Sequence, residues 1–346
     1  MTEPTYIPLR LHTEFSITDG MVRIKKLIAK AQEYGLPALG ISDLMNEFGL
    51  VKFYKACRGA GIKPIGAADV WIGNPNAPDK PFRAMLIIRN DAGYLRLSEL
   101  LTEAYVGKDR NIHHAELNPE WLENGDNSGL ICLSGAHYGE VGVNLLNGNE
   151  DAARAAALKY AAWFPDAFYL ELQRLPERPE WEACVSGSVK LAEELGLPVV
   201  ATHPTQFMSS DDFNAHEARV CIAGGWVLTD KKRPRDFTPS QFFIPPETMA
   251  ERFSDLPEAL ENTVEIAKRC NLHITLGKNF LPLFPTPDGL SLDDYLVKLS
   301  NEGLQERMVQ LYSDEAERAA KMPEYQERLD FELNIIIQMK FPGYFL

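Results

Sequence analysis

The sequence is poor in cysteine and has no cysteine pair. Cys57, Cys132, Cys184, Cys221 and Cys270 are an odd number, widely spaced, with no C-x-x-C. That excludes a zinc ribbon or a disulfide framework and leaves reduced, buried thiols as the expectation. No apolar run approaches the roughly 20 residues that a membrane helix needs, so no membrane partner is expected. The opening "MTEPTYIPLR" lacks a basic segment followed by an apolar one, so no secretory leader is expected and the expected location is the cytoplasm. No G-x-G-x-x-G follows the first strand and no G-x-x-x-x-G-K-[ST] occurs, which removes nucleotide cradles of those kinds. Positive charge is short too. The net charge is −14, and a surface that acidic repels DNA overall, because non-specific affinity rests on Lys and Arg neutralising phosphates. One basic cluster exists, Lys231, Lys232, Arg233 and Arg235 in "TDKKRPRDF", between Asp230 and Asp236. Its first reading is a solvated loop, with a phosphate contact as the alternative.

What is present is ordinary globular material, 45% hydrophobic and 24% charged over 346 residues. That length fits two domains, or one large α/β barrel with an extension. Short apolar runs alternate with amphipathic stretches. "YIPLRLH" reads as a strand. In "MVRIKKLIAKAQEYG", Met21, Ile24, Leu27, Ile28 and Ala31 recur at helical spacing, and Gly35 is a stop signal. "PALGISD", "IKPIGAADVWI", "RAMLIIRN", "GLICLSG", "AFYLELQ" and "LPVVATH" read as further strands, separated by helices such as "AGYLRLSELLTEAYVG" and "EDAARAAALKYAAWF". About seven such alternations imply a largely parallel sheet covered by helices. Polar residues at several strand ends (His12, Asp43, Asp69, Glu171 or Gln173, His203) favour a closed barrel, where those ends converge on one mouth, over an open sheet.

The character changes near Cys270. "NLHITLGKNFLPLFPTPDGLSLDDYL" carries three prolines and no helical period before Leu290. Ser291 is a candidate N-cap, followed by Asp293 and Asp294, where the helix dipole favours negative charge. "PEYQERLDFELNIIIQM" reads as a second helix with Pro323 in its first turn. The domains expected are therefore 1–270 and 271–346. The apolar ending Tyr344-Phe345-Leu346 raises the expectation that the natural chain continues.

The run "ISDLMNEFGLVKFYKACRGAGIKPIGAADV" resembles the T-D-H-G-N-x-x-G…F-Y…G-I-K-P-I-x-G-x-E signature of the polymerase-and-histidinol-phosphatase (PHP) domain, as found in the α subunits of bacterial DNA polymerase III. "LRLHTEFSITDG" resembles its opening motif, "LICLSGAHYGEVG" its L-S-G-C-x-x-G-E turn, and "LPVVATHPTQF" its A-T-N-D-x-H-Y strand. "DFNAHEARVCIAGGWVLTDKKRPR" and "FPGYFL" are similar to later blocks, so the likeness runs the length of the chain in order. The resemblance implies an α/β fold: a distorted seven-stranded, TIM-like β/α barrel, then a mainly helical start of the polymerase body. It also implies that the palm carboxylates come after the final block.

Intact members of this family hold metal ions at the barrel mouth with His, Asp and Glu, where metals lower the pKa of a bound water. Here the implied ligand set is broken. Arg10 stands for the first histidine of the opening pair, and a guanidinium cannot give up its proton to a metal. Leu44 replaces the histidine of T-D-H-G, and Met45 its glycine. Arg83 replaces another histidine and Ala136 a cysteine, while Pro204 and Gln206 replace an aspartate and a histidine. His12, Asp19, Asp43, Asp69, Glu171 and His203 remain as a vestigial set. Arg10 and Arg83 are expected to pair with Asp43, Asp69 or Asp19, because carboxylates stranded in a dry pocket are costly. Asp43 has a second reading as a helix cap. His113, His114, His137 and His216 have no ligand-like pattern around them.

The function implied is a structural and docking module of a replicative polymerase. No metal is expected in this chain, the parent polymerase would use magnesium, and the partners would be a proofreading exonuclease, other replicase subunits and DNA. The alternative is a metal-dependent phosphoesterase, a 3′–5′ exonuclease or pyrophosphatase, using zinc or manganese on His12, Asp43, Asp69 and His203.

Overall fold

A computed structural model describes residues 4–278, 280, 281 and 283–346. The chain divides into two compact units, one ending at Ile274 and one running from Thr275.

The first unit is built on one sheet of six strands: β1 (Ala38–Leu44), β2 (Lys63–Ile72), β3 (Phe82–Ile88), β4 (Leu130–Leu133), β5 (Phe168–Leu172) and β6 (Val199–Ala201), in that spatial order. The sheet is mixed. β1–β2, β4–β5 and β5–β6 run parallel, whereas β3 is antiparallel to both neighbours. The largely parallel sheet expected from alternation is corrected here. Residues 73–81, "GNPNAPDKP", carry no helix between β2 and β3, and a parallel crossover needs a dozen or more residues. The reversal matters for the site, because it brings the start of β3, with Arg83 opposite Trp71, to the mouth where parallel strands end.

Six strands form the sheet, one fewer than expected. Residues 6–12 carry one isolated parallel bridge, Leu11 with Thr205, but make no continuous ladder. Gly40 N–H donates to the Pro8 carbonyl and Ser42 N–H to the Leu11 carbonyl, while His12 N–H donates to Thr205 on the other side. Pro8 has no N–H to give, so pairing is interrupted. The segment still sits tight against β1, because a Cβ on Gly40 would lie 2.2 Å from the Leu9 carbonyl oxygen. Gly40→Ala is therefore expected to cost roughly 2–3 kcal/mol of stability by overpacking. An unchanged urea midpoint would contradict that close approach.

Helices α1 (Ile24–Glu33), α2 (Leu50–Gly59), α3 (Asp91–Val106), α4 (Pro119–Glu123), α5 (Glu140–Leu146), α6 (Glu150–Trp163), α7 (Glu182–Leu195), α8 (Phe213–Gly224), α9 (Pro246–Arg252) and α10 (Pro257–Arg269) accompany the sheet. α1 buries Ile24, Leu27, Ile28 and Ala31, the stripe its spacing predicts, and each large apolar side chain buried this way contributes about 1.5–3 kcal/mol. Gly35 follows with φ +63°, a conformation that costs glycine nothing. All five cysteines are free and buried.

The second unit contains α11 (Leu292–Leu311), α12 (Glu315–Gln338) and the short α13 (Pro342–Phe345). Ser291 caps α11 by accepting from Asp294 N–H. α12 starts earlier than its sequence suggests, because Asp314 caps it at Glu317 N–H, and Pro323 lies inside the helix instead of in its first turn.

Candidate functional site: a closed ion-pair network at the sheet's mouth

β2 delivers Asp69, fully buried, to the centre of the mouth. One of its oxygens, Oδ2, accepts from Arg10 Nη1, from Arg83 Nη2, and lies 3.0 Å from His12 Nε2. Arg10, from the segment beside β1, also grips Glu171 of β5 with both faces of its fork, Nε to Oε1 at 2.7 Å and Nη2 to Oε2 at 2.9 Å. Glu171 receives further donors from Gly135 N–H at 3.1 Å and from Thr202 and Gln173. His12 Nδ1 lies 2.9 Å from Asp19 Oδ1. Arg83 also stacks over the Trp71 ring at 4.5 Å.

Two guanidiniums (Arg10 and Arg83) and the His12 imidazole thus face three carboxylates (Asp19, Asp69 and Glu171). Burial by itself pushes the His12 imidazole down, but Asp19 and Asp69 outweigh it and lift the group to about 9. Burial raises Asp69, and the Arg10 and Arg83 guanidiniums outweigh that and hold it well below the usual carboxylate range. Asp19 is likewise held low, against the effect of burial, chiefly by His12.

Asp43 does something else. It neither caps a helix nor meets an arginine. Its carboxyl accepts from Thr13 N–H at 2.7 Å, from the Thr13 hydroxyl and from the Ser16 hydroxyl at 2.7 Å. α2 has Gly49 as its N-cap instead, with no side-chain cap bond. Burial pushes the Asp43 carboxyl up despite those donors.

His203 is not brought to the centre. Its Nε2 lies 2.9 Å from the Phe242 carbonyl and its Nδ1 faces Arg252 at 3.3 Å. Burial, helped by Arg252, pushes it down to about 3. The replaced positions line the mouth or shape it. Leu44, Pro204 and Gln206 border a cavity of about 490 Å³ together with Arg10, Asp69 and Arg83. Met45 and Ala136 both take positive φ, +53° and +47°, a region that favours glycine.

Two histidines without ligand patterns prove integral. His216 is fully buried and donates to the Asp19 carbonyl at 2.6 Å. His137 stacks on Trp181 at 3.5 Å between ring centroids and borders the same cavity. Burial, with Arg10 and Arg83 nearby, pushes His137 down to about 3. Thr13, Ser16 and Thr202 also carry the network. The hydroxyl-rich "HTEFS" was the only sequence signal for Thr13 and Ser16, and Thr202 had none. In the basic cluster, Arg233 Nη1 pairs with the buried Glu217, whereas Lys231, Lys232 and Arg235 are exposed.

A metal set does not fit these residues. Asp69 Oδ2 already faces three nitrogen donors, both His12 nitrogens are engaged, and a divalent ion would enter beside two guanidiniums. Among the described residues, no three His, Cys, Asp or Glu side chains are grouped to hold a metal ion.

Residues 8–175 match the PHP domain family, and residues 294–346 match the family described as bacterial DNA polymerase III alpha NTPase domain. The DNA polymerase III subunit alpha of Neisseria meningitidis serogroup A is 98% identical over all 346 residues. The chain belongs to the bacterial DNA polymerase III α-subunit family. The α subunits of Pseudomonas fluorescens and Escherichia coli K12 are 48% and 46% identical over 345 and 346 residues. The chain spans about 30% of the length of these relatives. Among the described residues, no helix is long and apolar enough to cross a membrane.

Proposed function

We propose that this PHP domain is a retired hydrolase mouth that braces a replicative polymerase α subunit and docks a separate proofreading exonuclease. The observation that carries the reading is the double capture of Asp69 and Glu171 by Arg10, with Arg83 on the same Asp69 oxygen. Guanidiniums stand where metal ligands would be, so the mouth contributes structure. Residues 6–12 act as the seventh stave of a distorted barrel, supported by their bonds to β1 and to Thr205. The domain spans 1–270, and 271–346 opens the polymerase body. The whole α subunit extends DNA from deoxynucleoside triphosphates with magnesium in a palm beyond this segment, in the cytoplasm and with other replicase subunits.

An acidic chain that repels phosphate suits protein docking better than a DNA grip. The rival phosphoesterase on zinc or manganese requires His12, Asp43, Asp69 and His203 to converge, which conflicts with the partners each of them has. Calorimetry of the chain with the cognate proofreading subunit is expected to give saturable one-to-one binding. If only the full-length α subunit binds, the docking reading is wrong.

A further inference from the structure

The C-terminal end of α8 and the turn after it expose apolar side chains in a run. Ile222 is 83% exposed and Val227 67%, with Trp226 and Leu228 beside them. Ile17 joins this face, because Arg219, one helical turn before Ile222, donates Nε to the Ile17 carbonyl at 2.6 Å and Nη2 to the Glu14 carbonyl. Ile17 is 61% exposed and sits at φ +63°. That backbone region is an outlier for a β-branched residue, so an apolar side chain is held out to solvent at a cost in strain. Contiguous exposed apolar surface rimmed by polar residues marks an interaction site.

The rim is positive on balance. Lys231, Lys232 and Arg235 are exposed next to the patch, against Asp230 and the exposed Asp236, on a chain whose net charge is −14. An acidic partner is repelled by the molecule as a whole and attracted here. Nucleic acid fits less well. Arg233 is consumed by Glu217, Trp226 is the one ring of the patch on which a base could stack, and the net charge of −14 repels phosphate.

We propose that Ile17, Ile222, Trp226, Val227 and Leu228 form a docking surface for an apolar peptide segment with acidic flanks, carried by a partner chain. This rests on the docking reading above and adds the surface and the chemistry of the occupant.

The test titrates the cognate proofreading exonuclease into the chain, with two variants beside the wild type: Ile222→Ser/Val227→Ser/Leu228→Ser, and Lys231→Glu/Lys232→Glu/Arg235→Glu. All six positions are exposed, so thermal midpoints are expected to stay put. Each variant is expected to bind at least about tenfold more weakly, and added salt to weaken the wild type. On an array of overlapping short peptides from the exonuclease, the strongest binder is expected to combine apolar residues with net negative charge. Wild-type binding with both variants unaffected overturns the surface and leaves the docking reading standing. No wild-type binding overturns both. Basic peptides as the strongest binders overturn the acidic chemistry. Binding of a single-stranded oligothymidylate that charge reversal abolishes, with exonuclease affinity unchanged, assigns the surface to nucleic acid instead.

Discussion

Arg10→Met is expected to lower the unfolding free energy at neutral pH by about 3–5 kcal/mol, read from urea denaturation. Methionine removes three guanidinium hydrogen bonds and strands Glu171 and Asp69 in the core with too few cations. The penalty is the uncompensated buried charge and not the worth of an ion pair, since a buried pair contributes little against a well-packed apolar substitute. Two further variants separate the cases. Adding Asp69→Asn and Glu171→Gln to Arg10→Met is expected to recover most of the loss, because neutral amides do not need the cation. Arg10→Lys is expected to fall between, since an ammonium cannot hold Glu171 in a two-bond fork and reach Asp69 as well. An Arg10→Met chain as stable as the wild type would mean that the carboxylates find other partners.

The second large effect is on pH. His137 and His203 have folded values near 3 against an ordinary 6.5. Their neutral forms are favoured in the fold, so this stability is complete above pH 6.5 and is lost as pH falls towards 3. The loss is on the order of a few kcal/mol per histidine. His12 has the opposite sign, raised to about 9. Its contribution is complete below 6.5 and is lost as pH rises through 9. Stability should peak near pH 6.5–7 and fall on both sides. His203→Gln is expected to flatten the acid limb and His12→Gln the alkaline limb, in thermal midpoints measured across that range. If both limbs keep the wild-type slope in these variants, the histidines are not the groups that titrate.

Much of this was legible beforehand, for identifiable reasons. Apolar periodicity and glycine stops located the strands and α1, because burial acts on each residue where it stands. The direction of β3 was not legible, since alternation carries no sign. Only the helix-free residues 73–81 hinted at it. The broken ligand set could be read from single positions, Arg10 and Leu44 among them. The partners could be read only in part. Arg10 and Arg83 meet an expected aspartate, Asp69, whereas the two-bond grip of Arg10 on Glu171, 161 residues away, gave no sequence signal. Asp43 was read as a cap or an ion pair and instead collects hydroxyls from the "HTEFS" turn. His137 gave no signal, because what buries it is Trp181, far along the chain.

At the mouth, guanidiniums stand where metal would otherwise sit. The direct measurement is elemental analysis of the purified chain after equilibration with zinc and manganese, paired with hydrolysis of p-nitrophenyl phosphate. No stoichiometric metal and no turnover above buffer are expected. Stoichiometric metal, with phosphatase activity abolished by His12→Ala, would contradict that expectation.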